Sequence, residues 1–167
     1  ESGEALSEEL TLAIAAEIVL SQKPGVVVTN LSTSRTIEAI AERYNSAVIR
    51  TPVGQPYISE AILENNAVLG GEGNGAVTIP KVQVTNDATA TIGLILEHLA
   101  KSGKRISDLS ASLPRFTMLK HYVPVAPNLL FSVLNEVRSE AETAGAAGVD
   151  LSDGIKLSWP DGWLHIR

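Results

Sequence analysis

Apolar residues recur along the first part of the chain in blocks whose spacing alternates between helix-like and strand-like. Residues 10–20 are apolar nearly all round and follow Ser7 and two acidic residues, which predicts a largely buried helix near residues 6–20 with an acidic start. The β-branched run at 26–29 is typical of a strand that is buried on both faces. Residues 37–44 return to helical spacing, and residues 47–51 predict a second strand.

The alternation continues as far as residue 114. The further predicted elements are a helix at 57–65, strands at 67–69 and 76–79, a helix at 88–102 and a short helix at 106–113. Asp87 is placed to cap the long helix, and Gly103 to end it. Strands and helices that alternate in this way are typical of parallel sheets with right-handed crossovers. Residues 1–114 are therefore predicted to form an α/β domain, a three-layer α/β/α structure with a mixed, mostly parallel sheet.

The pattern changes after Pro114. The predicted elements beyond it are a strand at 116–125, a helix at 129–143, and strands at 154–159 and 163–167 that are joined by a tight turn, Pro160-Asp161-Gly162. Two or three strands with one helix bury little surface and leave a sheet face open. Residues 115–167 are therefore expected to be part of an α+β domain rather than a whole one.

Four glycines lie within residues 70–75, which read Gly-Gly-Glu-Gly-Asn-Gly between two predicted strands. In an ordinary strand or helix each glycine costs roughly 0.5–1 kcal/mol relative to alanine, so the segment is expected where the backbone turns sharply or approaches a ligand. Glu72 can accept hydrogen bonds from two hydroxyls, and Asn74 can donate and accept, which suits vicinal sugar hydroxyls. A glycine-rich hairpin with two solvated polar residues remains an alternative. A phosphate-binding glycine loop is disfavoured, because the lysine and the Ser/Thr of a P-loop are absent and Glu72 would repel an anion.

Composition and charge narrow the choice of function. The 167 residues carry a formal net charge of −6 without a basic stripe, which argues against nucleic acid as a partner. Cysteine is absent, so the chain has no disulfide, and a cytoplasmic location is the simplest expectation. The longest apolar stretch, residues 10–20, is too short to span a bilayer, and the first residues do not resemble a signal peptide. The three histidines are far apart in sequence, so no metal site is predicted within the chain.

Six segments, taken in order, resemble the α-D-phosphohexomutases, the superfamily of phosphoglucomutase, phosphomannomutase and phosphoglucosamine mutase. The matching segments are residues 28–34, 51–54, 70–75, 96–100, 153–156 and 161–167. Such enzymes have four domains around a central cleft. The resemblance implies that this chain corresponds to the third domain and the start of the fourth.

The resemblance also implies roles for individual residues. In this family the counterpart of the glycine segment holds the sugar ring, which implies that Glu72, Asn74, Gly71 and Gly73 bind the substrate. Arg167 would contact a phosphate of the substrate. The family interconverts hexose 1-phosphates and 6-phosphates through a phosphoserine and Mg²⁺, so a phosphorylated hexose is the expected substrate.

Two catalytic elements of the family are absent from the sequence. Neither the serine loop nor the aspartate-rich magnesium loop occurs, so no catalytic residue and no metal ligand is assigned to the chain. We expect the chain to be inactive alone and to work with the other domains of the same enzyme as an isomerase. A non-catalytic phosphosugar-binding module and a purely structural domain remain alternatives. Ser32 and Gln55 replace a basic residue and a histidine of several relatives, which leaves the identity of the hexose open.

Overall fold

The chain divides between Thr117 and Met118 into two units, each with its own sheet. A computed structural model describes residue 3 and residues 5–141 and 145–167. The division lies close to the boundary predicted after Pro114. That these units correspond to the third and fourth domains of a phosphohexomutase stays a prediction.

The first unit alternates helices and strands. Its elements are α1 (Glu9–Gln22), β1 (Val27–Asn30), α2 (Thr36–Arg43), β2 (Val48–Thr51), α3 (Gln55–Asn65), β3 (Leu69–Gly71), β4 (Val77–Thr78), α4 (Ala88–Ser102) and α5 (Ile106–Ser112). The strands form one sheet in the order β2-β1-β3-β4, in which the first three are parallel and β4 is antiparallel to β3. The prediction of a mixed, mostly parallel sheet is confirmed.

Helices cover both faces of this sheet. Val27 of β1 belongs to a core that includes α1 and α2, whereas its neighbour Val28 packs with Ile58 and Ile62 of α3. Successive residues of a strand point to opposite faces, so these two valines lie in two separate apolar layers. The predicted three-layer α/β/α arrangement is confirmed.

Helix α1 has no polar face because neighbours surround it. It contacts α2, α4 and α5 as well as strands β3 and β4. Its buried residues are Glu9, Leu12, Ala13, Ile14, Ala15, Ala16, Ile18 and Leu20. Burial on several sides explains why the sequence is apolar nearly all round instead of amphipathic.

Helix α4 has the limits that its capping residues predict. Asp87 Oδ1 accepts a hydrogen bond from the Ala90 N–H at 2.8 Å, which satisfies one of the free donors at the helix start. Gly103 takes the left-handed conformation, with φ of +66°, and its N–H donates to Leu99 O. Both ends are therefore set by local chemistry.

In its described residues, the second unit has one α-helix and a three-stranded antiparallel sheet. Its elements are a 3₁₀ turn at Pro127–Leu129, α6 (Leu130–Ala141), β5 (Gly148–Asp150), β6 (Ile155–Ser158) and β7 (Trp163–Ile166), and the strand order is β5-β6-β7. Ala141, Ile155 and Leu157 form its small core. The Trp159 N–H donates to Gly162 O at 2.8 Å, which closes the predicted tight turn. The predicted end of the helix at residue 143 lies outside the described residues.

One predicted strand after Pro114 is wrong, and one strand of the second unit was not predicted. The strand predicted at 116–125 does not form, because residues 114–126 have no helix or strand and no described strand pairs with them. Leu119, Tyr122 and Val123 are instead exposed. The sequence also gave no indication of β5, a strand of only three exposed residues. Short strands are defined by their partner more than by their own sequence.

Candidate sugar-binding site

Strands β1, β2 and β3 end at the same edge of the first sheet, because they are parallel and in register. Asn30 at the end of β1 lies beside Thr51 of β2, and Thr29 lies beside Gly71 of β3. Ligands of open α/β sheets commonly bind outside the carboxyl ends of the strands. We call this the carboxyl edge. It brings together three loops, at 31–35, 52–54 and 72–76.

Glu72 follows β3 directly and is buried at the carboxyl edge, with 6% of its surface exposed. Its Oε1 accepts hydrogen bonds from Asn30 Nδ2 at 2.7 Å and from the Gly54 N–H at 3.2 Å. The other oxygen, Oε2, receives no hydrogen bond from the described part of the chain. Within those same residues no lysine or arginine forms an ion pair with Glu72, so only neutral donors hold its charge.

The glycine segment is a tight turn that its own polar groups close. The Glu72 N–H donates to Ala76 O at 2.9 Å, and the Gly75 N–H donates to Glu72 O at 3.2 Å. Gly75 has a φ of +92°, a conformation that side chains disfavour. Asn74 is exposed, and its Oδ1 accepts a hydrogen bond from the Ala76 N–H at 3.0 Å. Asn74 therefore supports the turn through its side-chain oxygen.

The glycine segment is tied to the loop that follows β1. The Gly73 N–H donates to Thr33 Oγ1 at 3.0 Å, and Thr33 Oγ1 donates to Asn30 Oδ1 at 2.9 Å. Thr29 Oγ1 lies 2.9 Å from Gly71 O. Thr29, Asn30 and Thr33 are almost completely buried. The two loops consequently hold one another in place through polar contacts with little access to water.

Arg50 fixes the loop after β1 from the side of β2. Its Nη1 donates to Asn30 O at 2.7 Å and to Thr33 O at 2.8 Å, and its Nη2 donates to Ser34 O at 3.3 Å. The same guanidinium pairs with both carboxylate oxygens of Glu38, at 2.7 and 2.9 Å. These contacts use all five N–H groups that an arginine has.

Gln55 and Ser32, whose roles the sequence leaves open, also lie at the carboxyl edge. Gln55 Nε2 is 3.0 Å from Ser59 Oγ and 3.3 Å from Thr78 Oγ1. The Ser32 N–H donates to Asn30 Oδ1 at 3.0 Å. Ser32 therefore belongs to the polar network around Asn30, whereas Gln55 contacts α3 and β4.

Four of the five predicted substrate-binding residues are consecutive. Gly71 is buried in β3, Glu72 and Gly73 are buried just after it, and Asn74 is exposed at the tip of the turn. Arg167 belongs to the second unit, where its Nε lies 3.2 Å from Asp153 Oδ1.

Sequence reasoning did not single out Asn30, Thr33, Gly54 or Arg50. All but Arg50 lie in segments that carried the family resemblance. One sequence signal pointed to Asn30: it is a polar residue at the end of a buried, β-branched strand.

Other features of the described residues lie outside this site. A cavity of about 350 Å³ is lined by Gln22, Leu94, Glu97, His98, Lys101 and Ser102, and by none of the predicted site residues. No three acidic, histidine or cysteine side chains of the described residues lie where they could hold a metal ion. In that part of the chain no helix combines the length and the hydrophobicity needed to cross a membrane.

The fold and the residues of the carboxyl edge were compared with known proteins. Residues 7–116 match the family model described as phosphoglucomutase/phosphomannomutase, alpha/beta/alpha domain III. The chain belongs to this family. The match covers almost all of the first unit, including the glycine segment, which agrees with the resemblance drawn from the six segments.

Among curated relatives, a phosphoglucomutase/phosphomannomutase of Thermococcus kodakarensis is 35% identical over 168 aligned residues, which cover 100% of this chain and 36% of the relative. A protein of Methanopyrus kandleri described as a probable phosphoglucosamine mutase is 28% identical and is covered to 37%. The chain thus spans little more than a third of the length of the relatives it matches.

A solved structure supports the fold. A phosphoglucomutase/phosphomannomutase family protein of Burkholderia thailandensis superposes with a TM-score of 0.74 at 23% sequence identity. The superposition covers 96% of this chain and 34% of that chain.

Proposed function

We propose that this chain is the sugar-binding portion of a phosphohexomutase that interconverts hexose 1-phosphates and 6-phosphates, and that Glu72 holds hydroxyls of the sugar ring. The observation that carries the proposal is the state of the Glu72 carboxylate. One oxygen is anchored by two N–H donors, and the other receives none from the described residues. A carboxylate oxygen in that state is an acceptor for ligand hydroxyl groups.

The charges at the site favour the hydroxyls over the phosphates as the group that is bound. Glu72 is anionic and has no cationic partner among the described residues, so a phosphate beside it would be repelled. The nearby Arg50 guanidinium has all five of its N–H groups engaged by Glu38 and by backbone oxygens. In this proposal Asn74, Gly71 and Gly73 shape the turn around Glu72. Arg167, a residue of the second unit, would contact a phosphate of the substrate.

The phosphoryl transfer belongs, in this proposal, to parts of the protein outside this chain. The family implies Mg²⁺ and a phosphoserine, but the described residues do not form a metal site. Because the serine loop and the aspartate-rich magnesium loop of the family are absent from the sequence, we assign no metal ligand and no catalytic residue here, and we expect no mutase activity from residues 1–167 alone. The partners are a phosphorylated hexose and the other domains of the enzyme. The cytoplasmic location expected from the sequence remains a prediction.

The test compares Glu72→Gln with Glu64→Gln in the native protein in which this chain occurs. Both substitutions remove one negative charge, and Glu64 is exposed on α3 and takes part in no contact of the site. Isothermal titration measures the binding of glucose 1-phosphate, mannose 1-phosphate and glucosamine 1-phosphate. Hydrogen bonds to a charged group contribute about 1.5–3 kcal/mol each. We therefore expect Glu72→Gln to weaken binding by about tenfold to a hundredfold, and Glu64→Gln to leave it unchanged.

Equal affinity in the native protein and in Glu72→Gln would overturn the assignment of Glu72. A second measurement separates the mutase from a non-catalytic phosphosugar-binding module. The native protein is incubated with a hexose 1-phosphate, and the hexose 6-phosphate is assayed. Binding that depends on Glu72 without any conversion would favour the module and contradict the mutase.

A further inference from the structure

Asn30 and Glu72 form a buried pair that connects the end of β1 to the glycine segment. Asn30 Nδ2 lies 2.7 Å from Glu72 Oε1, across 42 residues of sequence. Asn30 has 3% of its surface exposed and Glu72 6%. Asn30 therefore lies directly against the residue that is proposed to bind the sugar.

The orientation of the Asn30 amide follows from its other neighbours. The Ser32 backbone N–H lies 3.0 Å from the second polar atom of this side chain. A backbone N–H can only donate, so that second atom is the oxygen, and the atom that faces Glu72 is the NH₂ group. Thr33 Oγ1, at 2.9 Å, adds a further donor to the same oxygen. The amide therefore cannot turn over without losing both bonds.

We propose that Asn30 is a positioning residue that holds Glu72 Oε1 and thereby presents Glu72 Oε2 to the hydroxyls of the substrate. The inference rests on the function proposed above for Glu72. Without the Asn30 amide, only the longer bond from the Gly54 N–H would restrain the carboxylate, and Oε1 would lose its shorter partner. The carboxylate would then rotate, and its free oxygen would point in several directions.

The variant Asn30→Asp tests this role, because it keeps the shape of the side chain and replaces the donor by an oxygen. Two carboxyl groups at this distance cannot both ionise easily, so the pair holds one shared proton at low pH. The shared proton restores a hydrogen bond between residues 30 and 72. Above the apparent pKa of the pair both groups are ionised, and their repulsion displaces Glu72.

The expected result is a pH-dependent loss of affinity that the native protein does not show. Binding of glucose 1-phosphate is measured across pH for both proteins, and the ratio of their Kd values removes the titration of the ligand. The fraction of the variant that keeps its shared proton falls about tenfold for each pH unit above the apparent pKa, and the apparent affinity falls with that fraction. The Kd of Asn30→Asp divided by the Kd of the native protein should therefore be near one at low pH and rise steeply as the pH increases.

Other charged groups near the pair are unchanged by the substitution. They are Arg50, which donates to Asn30 O, its partner Glu38, and Glu9, whose carboxylate lies next to Gly73. The Glu72→Gln background separates the titration of the pair from that of these neighbours, because it removes the pair and keeps them. Replacing Glu72 by Gln in the Asn30→Asp background should abolish the pH dependence of the ratio.

Two controls separate positioning from a general effect on the fold. Thr33→Val loosens the same loop without adding a charge, and is expected to change affinity by a factor that does not vary with pH. Asn65→Asp makes the same chemical change at the end of α3, where Asn65 Nδ2 donates to Ala61 O, and should leave the ratio at one. The Gly54 N–H donates to Glu72 Oε1, so its protection from hydrogen exchange reports whether Glu72 is in place. At each pH the protection in Asn30→Asp is compared with that in the native protein, and it should be lower in the variant only at high pH.

The outcomes distinguish this inference from the function on which it rests. If Glu72→Gln weakens binding but the ratio for Asn30→Asp stays flat across pH, the positioning role of Asn30 is wrong and the proposed function stands. If Glu72→Gln binds as the native protein does, the proposed function fails and the inference fails with it.

Discussion

Gly73 lies directly against the carboxylate of Glu9, so that a Cβ atom added to the glycine would be 2.5 Å from Glu9 Oε2. Glu9 is at the start of α1 and is buried, and its Oε2 accepts a hydrogen bond from the Ser34 N–H at 3.1 Å. The glycine segment, α1 and the loop after β1 thus meet at one point. The close approach explains a glycine at position 73, which the turn conformation alone does not.

Alanine should be tolerated better at Gly73 than at Gly71. At Gly73 only the flexible carboxylate of Glu9 must move, which costs at most its bond to Ser34, about 1.5–3 kcal/mol. At Gly71 the new Cβ would meet the backbone oxygen of Ala76 and lie 2.6 Å from Leu12 Cδ1. Neither atom can move without disturbing the sheet or the core, and since two such clashes occur at Gly71, we expect its loss to exceed the one at Gly73.

Native-state hydrogen exchange at the amides of β1 and β3 measures the opening free energy lost in Gly71→Ala and in Gly73→Ala. Gly93→Ala is the matched control, because Gly93 is exposed on α4 and nothing lies within 4 Å of its added Cβ. That substitution should stabilise α4 by about 0.5–1 kcal/mol. Equal losses at Gly71 and Gly73 would contradict the steric explanation.

Arg50→Lys should loosen the loop after β1, although it conserves the charge. Lysine has three donors on one atom and cannot reproduce the bidentate pair with Glu38 together with three bonds to backbone oxygens. Arg50 is largely buried, and bonds of this kind contribute about 1.5–3 kcal/mol each. We expect a loss of about 2 kcal/mol in the opening free energy at the amides of Ser32 and Ser34, measured by hydrogen exchange.

The control for Arg50→Lys is Arg43→Lys. Arg43 is exposed, and its Nη1 lies 3.6 Å from Glu17 Oε2. Exposed ion pairs contribute about 0–1 kcal/mol, so this change should have little effect. If Arg43→Lys lowered the opening free energy at Ser32 and Ser34 as much as Arg50→Lys does, the hydrogen bonds of Arg50 would not be the cause of the loss.

Asp87→Ala should destabilise the start of α4 by about 1 kcal/mol, since it removes the acceptor for the Ala90 N–H. Asp87→Ser keeps a capping oxygen and should retain most of the stability. Exchange at the Ala90 amide distinguishes the two variants. Similar exchange rates in Asp87→Ala and in the native protein would show that the cap contributes nothing measurable.

The stability of the first unit should fall as the pH rises from about 10 to 12. Burial, with a hydrogen bond to Glu17 at 2.6 Å, raises the pKa of Tyr44 from 10.0 to about 12. Over this range the unfolded chain loses the phenolic proton while the folded chain keeps it, so unfolding releases a proton and becomes easier at higher pH. Below pH 10 the proton is bound in both states, and the contribution is complete.

Tyr44→Phe removes the group and should flatten this part of the stability profile. The difference in phenolate absorbance between the native protein and the variant gives the titration of Tyr44 alone, expected near pH 12. A difference spectrum that develops near pH 10 would contradict the environment described for Tyr44. A stability profile with the same slope in both proteins would do so as well.

Local sequence chemistry was sufficient for several elements. The limits of α4 follow from Asp87 and Gly103, and the buried α1 follows from a segment that is apolar nearly all round. The turn at 160–162 follows from Pro-Asp-Gly. These features depend on contacts within a few residues, which a sequence displays directly. The same holds for Glu72, which stands out as the one charged residue among four glycines.

The remaining features depend on residues that are distant in sequence. The strand order β2-β1-β3-β4 and the failure of a strand to form at 116–125 both depend on which partner is present, because a strand is stable only when its backbone groups are paired. The bond between Asn30 and Glu72 and the five contacts of Arg50 exist only because parallel strands end at one edge. The sequence alone determined which residues have the chemistry for a sugar-binding turn. The tertiary structure decided which oxygen of Glu72 is held by Asn30 and Gly54, because those donors come from loops that are distant in sequence.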